Sequence, residues 1–189
     1  MRFLISTAFI SIDGVVEDPG GQTSYRNGGW TFKSVDFVPE AYAIKGSEQQ
    51  ESTALLLGRK SYELFSPVWP NMDVFAHYKV LPKFVVSTTL TDGDLVSDWG
   101  PTTVLRSLEE VRALKQTEGG PIIVHGSVTL NHALAEAGLV DRYNLLVFPL
   151  LLGAGERLFS DNEKDTQKLK LVDSEVYSNG IQKNIFDVI

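Results

Sequence analysis

Two short stretches carry residue types that can hold an anion. The first is Gly126-Ser127-Val128-Thr129. It follows the apolar run Ile122-Ile123-Val124 and precedes a helical pattern with apolar positions at Leu130, Ala133, Leu134 and Ala137. A strand that turns through glycine into a helix aims several backbone N–H groups and the positive end of the helix dipole at one spot, which suits a phosphate. A side chain at the glycine would hold the anion away from the backbone. Ser127 also fits an ordinary N-cap, so the local pattern leaves both readings open. The second stretch is Gly58-Arg59-Lys60-Ser61, which follows Ala54-Leu55-Leu56-Leu57 and opens a short helix over Arg59–Phe65. Cations in the first turn of a helix are repelled by its dipole, and an anion between Arg59 and Lys60 offsets that repulsion. The alternative is that both side chains reach into solvent.

Other chemistry-bearing residues fall at the ends of apolar runs. In an open α/β sheet, ligands bind outside the carboxyl ends of the strands. Asp13-Gly14 ends the run Arg2–Ile12, Ser87-Thr88 ends Phe84-Val85-Val86, and Arg106 ends Thr103-Val104-Leu105. Asp13 can orient a polar ligand or pass a proton, although a turn residue needs neither role. The glycine-rich loop Glu17–Gly29 follows, closed by Trp30 and Phe32. Loops of this length inside a domain are more often functional than idle. His77, His125 and His132 are too scattered for metal-ligand spacing, and no G-x-S-x-G nucleophile elbow is present, so no metal is expected.

The elements that must position these residues alternate. Short apolar runs at Arg2–Ile12, Ala54–Leu57, Phe84–Val86, Thr103–Leu105 and Ile122–Val124 read as buried strands. Helices are expected over Val35–Glu51, with a polar, exposed C-terminal half at Gly46–Glu51, and from Ser107 to about Glu118. In the latter, Ser107 and Glu110 form a capping box. Beyond Gly138 come a strand at Arg142–Phe148, an apolar but glycine-broken segment at Pro149–Phe159, and two strands, Lys168–Tyr177 and Ile181–Val188, joined by Asn179-Gly180. This order predicts one domain with a mostly parallel sheet covered on both faces and an antiparallel C-terminal hairpin.

Composition narrows the function classes. The 189 residues suffice for one well-filled core, with 43% hydrophobic and 22% charged residues. A formal net charge of −7 argues against a nucleic-acid partner. The absence of cysteine excludes disulfides, thiolate catalysis and Cys-ligated metals, and fits a cytoplasmic location. The N-terminal run Phe3–Ile10 reads as a first strand rather than a signal peptide, since Ser6, Thr7 and Ser11 interrupt it. No apolar run is long enough to span a membrane.

Taken in order, these segments resemble a known family. Leu55–Glu63, LLLGRKSYE, resembles the strand–Gly-Arg–helix segment of dihydrofolate reductases. Phe84–Thr89 resembles their next strand, and Ile122–Leu130 their second glycine turn. Ser11-Ile12-Asp13-Gly14 and Pro149–Phe159 look more like the reductase domain of riboflavin biosynthesis. The resemblance implies a single-domain, three-layer dihydrofolate-reductase-like fold and NADPH as cofactor. It implies that Gly58, Arg59, Lys60 and Ser61 lie near the phosphates. Arg59 would meet the adenosine 2′-phosphate, with Ser87, Thr88 and Arg106 nearby, and Gly126, Ser127, Val128 and Thr129 would hold the pyrophosphate. Asp13 and Trp30 would border the substrate, Asp13 as the catalytic candidate. This chain departs from the family in carrying His125-Gly126 where two adjacent glycines are usual. Asp36 and Glu40 are candidates for the carboxylate that dihydrofolate reductases place on their first helix.

The implied activity is NADPH-dependent hydride transfer to a small heterocyclic (pterin- or aminopyrimidine-like) or imine/carbonyl substrate, in a homodimer. The alternative from another class is a dinucleotide-binding module or sensor without catalysis. A third reading is a purely structural homodimer.

Overall fold

The computed structural model describes residues 1–162 and 166–189. Eight strands form one sheet: β1 (Leu4–Ser11), β2 (Ala54–Gly58), β3 (Lys83–Val86), β4 (Thr102–Leu105), β5 (Ile122–Val124), β6 (Arg142–Phe148), β7 (Leu169–Val176) and β8 (Gln182–Val188). Their order is β4-β3-β2-β5-β1-β6-β8-β7. The first six are mutually parallel, and β8 pairs antiparallel with both β6 and β7. The mostly parallel sheet with an antiparallel C-terminal hairpin is therefore as the sequence predicts. Six α-helices connect the strands: α1 (Trp30–Lys33), α2 (Ala43–Glu51), α3 (Arg59–Phe65), α4 (Ala76–Val80), α5 (Leu108–Gln116) and α6 (Val128–Glu136).

Alternation along the strands divides the core. Leu56, Val124 and Leu4 join Val111 of α5 with Leu130 and Leu134 of α6 on one face. Leu55, Leu57 and Ile123 join Tyr62 of α3, Tyr78 of α4, Trp69 and Trp99 on the other. A third cluster gathers Trp30, Ala41, Ile44, Leu146, Phe148 and Ile181 under α1 and α2. Leu55, Leu56 and Leu57 are each 0% exposed, which is why β2 reads as an uninterrupted apolar run rather than an alternating one. Each such side chain contributes roughly 1.5–3 kcal/mol on burial. No helix among the described residues is long and apolar enough to cross a membrane.

Three local expectations are revised. The helix foreseen over Val35–Glu51 starts later. Val38 is extended (φ −122°, ψ 108°) ahead of Pro39, and a 3-10 turn over Pro39–Tyr42 leads into α2. The residue before a proline is held out of the helical region by the ring. The C-terminal half of α2 is not wholly exposed either, because Glu48 is 4% exposed. The capping box is only half made. The Glu110 backbone N–H donates to Ser107 Oγ at 3.3 Å, but the Glu110 carboxylate accepts from the Arg106 N–H instead. The Asn179-Gly180 turn does close the hairpin, with Gly180 at φ +83° and its N–H donating to Tyr177 O at 2.9 Å. All eight residues of β7 are exposed, including Leu169, Leu171, Val172 and Val176, and β7 forms one free edge of the sheet.

Strand lengths create the opening that matters. The pairing of β1 with β5 ends at Ser6–Val124, whereas its pairing with β6 continues to Ser11–Phe148. From Thr7 onward, β1 has no strand neighbour on the β5 side. A crevice therefore opens at the carboxyl ends of β1 and β5, next to the turn that starts α6.

Candidate functional site

The two glycine turns lie against each other at this crevice. The Gly58 N–H donates to Gly126 O at 3.3 Å. A Cβ on Gly58 would stand 2.2 Å from Ser127 Oγ, and one on Gly126 would stand 2.6 Å from Ser61 Oγ. Gly126 also has φ +69°, a left-handed conformation that side-chain-bearing residues rarely adopt, and the Gly126–Ser127 peptide bond is cis. So each glycine is required by a close approach of the other turn, and together they bring Ser61 and Ser127 within one compact surface. Ser127 makes no side-chain capping hydrogen bond. The first N–H groups of α6, from Val128 and Thr129 onward, have no partner inside the helix. These donors and the Ser127 hydroxyl are the groups that can meet an anion.

The cations foreseen for phosphates are divided. Arg59 is 44% exposed at its side chain, donates through Nε to Glu63 Oε1 at 2.6 Å, and also reaches Thr89 Oγ1. Lys60 is exposed beside it. Ser87 is 8% exposed, and its hydroxyl accepts from the N–H groups of Thr89 and Leu90, which leaves exposed Thr88 as the free hydroxyl of that loop. Arg106, exposed, donates through Nη1 to Ser87 O (2.9 Å) and Leu90 O (2.7 Å), so it braces the loop after β3. The donor set of Ser127, the α6 N-terminus, Arg59, Lys60 and Thr88 has the chemistry that a dinucleotide's phosphates require.

The two substrate-side expectations are revised. Trp30 is 1% exposed, edge-on to Phe148 at 5.1 Å, and donates through Nε1 to Glu17 O. An indole so enclosed anchors the loop and has no face left for a heterocycle. Asp13 latches the end of β1 to the segment after β6. Oδ1 accepts from Ser11 Oγ (2.7 Å) and the Leu152 N–H (3.1 Å), and Oδ2 accepts from the Gly153 N–H (2.7 Å). The Ser11 bond above all, assisted by Leu152 and Gly153, holds its carboxyl down at about 2 from 3.8. An acid that stays ionised at neutral pH has no proton to give, so Asp13 is a positioning residue.

A carboxylate whose folded pKa is depressed stabilises the fold fully above its unfolded value, and that contribution fades as pH falls through the folded value. Asp13→Asn is therefore expected to lower Tm above about pH 4, and the gap to the wild-type protein should close between about pH 4 and 2. Calorimetry across that range checks it. A gap independent of pH would mean that the charge is not what holds the latch.

The apolar segment Pro149–Phe159 packs on its own chain in part, while Leu151 and Phe159 stay exposed. Ile12 and Val16 donate to Leu150 O and Glu156 O, the Leu158 N–H donates to Gly14 O, and Leu158 is 3% exposed.

The face of the crevice toward α2 holds a polar constellation absent from the sequence reading. Thr7 donates to Glu48 Oε1 at 2.7 Å, and Asn144 Nδ2 donates to the same oxygen at 2.8 Å. Lys45 Nζ pairs with Glu48 Oε2 at 3.2 Å, meets Thr7 Oγ1, and lies 5.1 Å from the centre of the Phe9 ring. Its side chain is 19% exposed. His125, the residue before Gly126, has Nε2 2.9 Å from the Tyr78 hydroxyl. Desolvation first, and then the Lys45 charge, push His125 down to about 3, while desolvation pushes Tyr78 up. The pair is therefore a neutral imidazole hydrogen-bonded to a neutral phenol. The sequence did carry faint signals: polar Thr7 and Asn144 in otherwise apolar strands, and Glu48 four residues after Ile44 on one helical face. The other histidines lie apart, His77 at Ser52 O and His132 at Arg157 O. Asp36 and Glu40 do not join this cluster; Asp36 contributes its backbone carbonyl to Asn179 Nδ2.

Comparison with known proteins gives a consistent placement. The sequence model of the RibD C-terminal domain matches residues 2–183. An uncharacterised Bacillus subtilis protein, YyaP, is 26% identical over 194 residues, covering 98% of this chain and 94% of its own. Among solved structures, a putative riboflavin biosynthesis protein from Shewanella sp. PV-4 superposes with a TM-score of 0.77 at 20% identity, covering 99% of each chain. Dihydrofolate reductase from Enterococcus faecalis, solved with NADP(H), superposes with a TM-score of 0.58 at 16% identity, covering 98% of this chain and 96% of its own. At these identities the superpositions establish a shared fold.

Proposed function

This chain belongs to the RibD C-terminal domain family, and on that premise we propose that it is an NADPH-dependent reductase of a small heterocyclic or imine/carbonyl substrate. Family membership supports the reductase class. The observation that carries the cofactor is the contact between the Gly58 and Gly126 turns at the crevice where β5 ends and β1 continues. There the free N–H groups of α6 and the Ser127 hydroxyl would hold the pyrophosphate, and Arg59 and Lys60 would balance the remaining phosphate charge. NADPH, when bound, supplies the hydride.

The chain's own part in the chemistry is to position the substrate and deliver a proton. An ammonium has three N–H donors, and Lys45 uses two on Thr7 and Glu48, leaving one for substrate. Lys45 gives a proton to the nitrogen or oxygen of the reduced C=N or C=O bond, and solvent restores it. Glu48 and Thr7 fix the orientation of the ammonium. The phenyl ring of Phe9 beneath it limits access of water. A second copy of the chain covers the exposed β7 edge, giving a homodimer.

Turnover is the test: the protein is assayed for loss of reduced-nicotinamide absorbance with pterins, aminopyrimidines and cyclic imines. Saturable binding without oxidation of NADPH by any of them would reassign the protein to the non-catalytic, dinucleotide-binding class.

Cofactor choice gives a sharper check. Arg59→Ala should weaken NADPH roughly tenfold or more beyond its effect on NADH, because only NADPH carries the 2′-phosphate for a charge-assisted hydrogen bond. The loss of the exposed Arg59–Glu63 pair contributes little to stability. Equal weakening of both cofactors, read by calorimetric titration, would remove Arg59 from the 2′-phosphate.

A further inference from the structure

We infer that a second binding site, for a compact primary ammonium, lies beneath α2 along the first residues of β1 and β6, on the α2 side of Asn144 and Glu48. A hollow of about 190 Å³ is enclosed there between α2 and strands β1, β6 and β8. Its walls are aliphatic at Ile5, Ile44, Ile123 and Ile185 and polar at Ser47, Glu48, Arg142, Asn144 and, at the mouth, Glu51.

Asn144 is the group that asks for a ligand. It is 6% exposed, and its Nδ2 donates to Glu48 Oε1 at 2.8 Å. A carboxylate only accepts, so this bond fixes which way the amide points. Asn144 Oδ1 is left buried with no hydrogen-bond partner among the described residues. Buried acceptors are normally paired, so this oxygen is matched to a donor brought from outside.

The charges select the kind of donor. Glu48 is already balanced by Lys45 at 3.2 Å, and Arg142, which also lines the hollow, is balanced by Asp187 at 2.7 Å. Glu51 stands at the mouth with no ion pair among the described residues. The site therefore offers an unfilled acceptor and one uncompensated negative charge, and an ammonium answers both. The four isoleucines suit a short hydrocarbon body beside those polar groups. An apolar cavity of about 150 Å³ holds benzene, so this one takes a body of about six heavy atoms.

The hollow shares Glu48 with the Lys45 pair of the proposed function, and it is tested without turnover, so its failure is distinguishable from failure of that reading. Uniformly nitrogen-labelled protein is titrated with n-butylammonium chloride and, separately, with n-butanol, while the side-chain amide resonances of Asn144 are followed by NMR. Saturable shifts of the Asn144 amide with the ammonium, and binding about tenfold weaker with the alcohol, are expected. Asn144→Leu, similar in volume, should weaken the ammonium about tenfold or more. Glu51→Gln, at the exposed mouth, keeps the test valid should Asn144→Leu fail to fold, and should weaken the ammonium but not the alcohol. Equal responses to the two probes, no saturable response, or a crystal of the soaked protein with only water on Asn144 Oδ1 would each overturn the assignment.

Discussion

Gly126→Val is expected to abolish dinucleotide binding in a protein that still folds. Two separate effects act at this position. Gly126 sits at φ +69°, where a residue with a Cβ is disfavoured by roughly 1–2 kcal/mol, and a β-branched one by more. A Cβ there also stands 2.6 Å from Ser61 Oγ, so α3 and the turn before α6 must separate to admit it. Separation displaces Ser127 and the first N–H groups of α6, the donors assigned to the pyrophosphate. A loss of at least about 2 kcal/mol, or roughly thirtyfold in Kd, is expected. Gly126→Ala should lose less, since it lacks the branch. Calorimetric titration with NADPH, alongside circular dichroism to establish folding, measures both. Unchanged affinity in folded Gly126→Val would remove this turn from the cofactor site.

Lys45→Arg should lower kcat by about 10²–10⁴ while leaving NADPH affinity nearly unchanged. Arginine keeps the positive charge beside Glu48, so the buried carboxylate stays paired and the fold is preserved. A guanidinium does not release its proton near neutral pH, so the proton-donor role is lost while the charge remains. Lys45→Met goes further and leaves Glu48, 4% exposed, with only the neutral donors Thr7 and Asn144. Its melting temperature should fall together with its activity. The pair of variants separates two roles. A fast Lys45→Arg enzyme would make Lys45 a counter-charge that positions Glu48 and Thr7, and the proton would have to come from elsewhere.

Much of the architecture was fixed by local pattern. Runs such as Ala54–Leu57 and Ile122–Val124 are too short for helices, and each ends at or near a glycine that the chain needs in order to turn. The Gly58 and Gly126 turns were legible because a strand–glycine–helix pattern is written in consecutive residues. Their positions at the carboxyl ends of parallel strands follow from topology alone. The helix start at Pro39 was also present in the sequence, and the apolar pattern around Phe37 hid it.

What the chain order does not contain is the partner of each side chain. Asp13 looked like a group facing substrate because its partners, Leu152 and Gly153, lie 139 and 140 residues downstream. Trp30 looked like a stacking surface because nothing near it in sequence announces that Phe148 will close over it. Glu48 sits in the polar half of a helix and reads as solvated. Only folding sets it against Thr7, 41 residues before it, and Asn144, 96 residues after it. A polar side chain enters the interior when its hydrogen bonds are completed there, and those bonds are supplied by whichever strands the topology makes adjacent. The sequence by itself determined the elements and the two glycine turns, which are local. Tertiary structure alone decided that Lys45, Glu48 and Asn144 line the interior and that Asp13 and Trp30 hold the loops, because each of those roles depends on a partner distant in the chain.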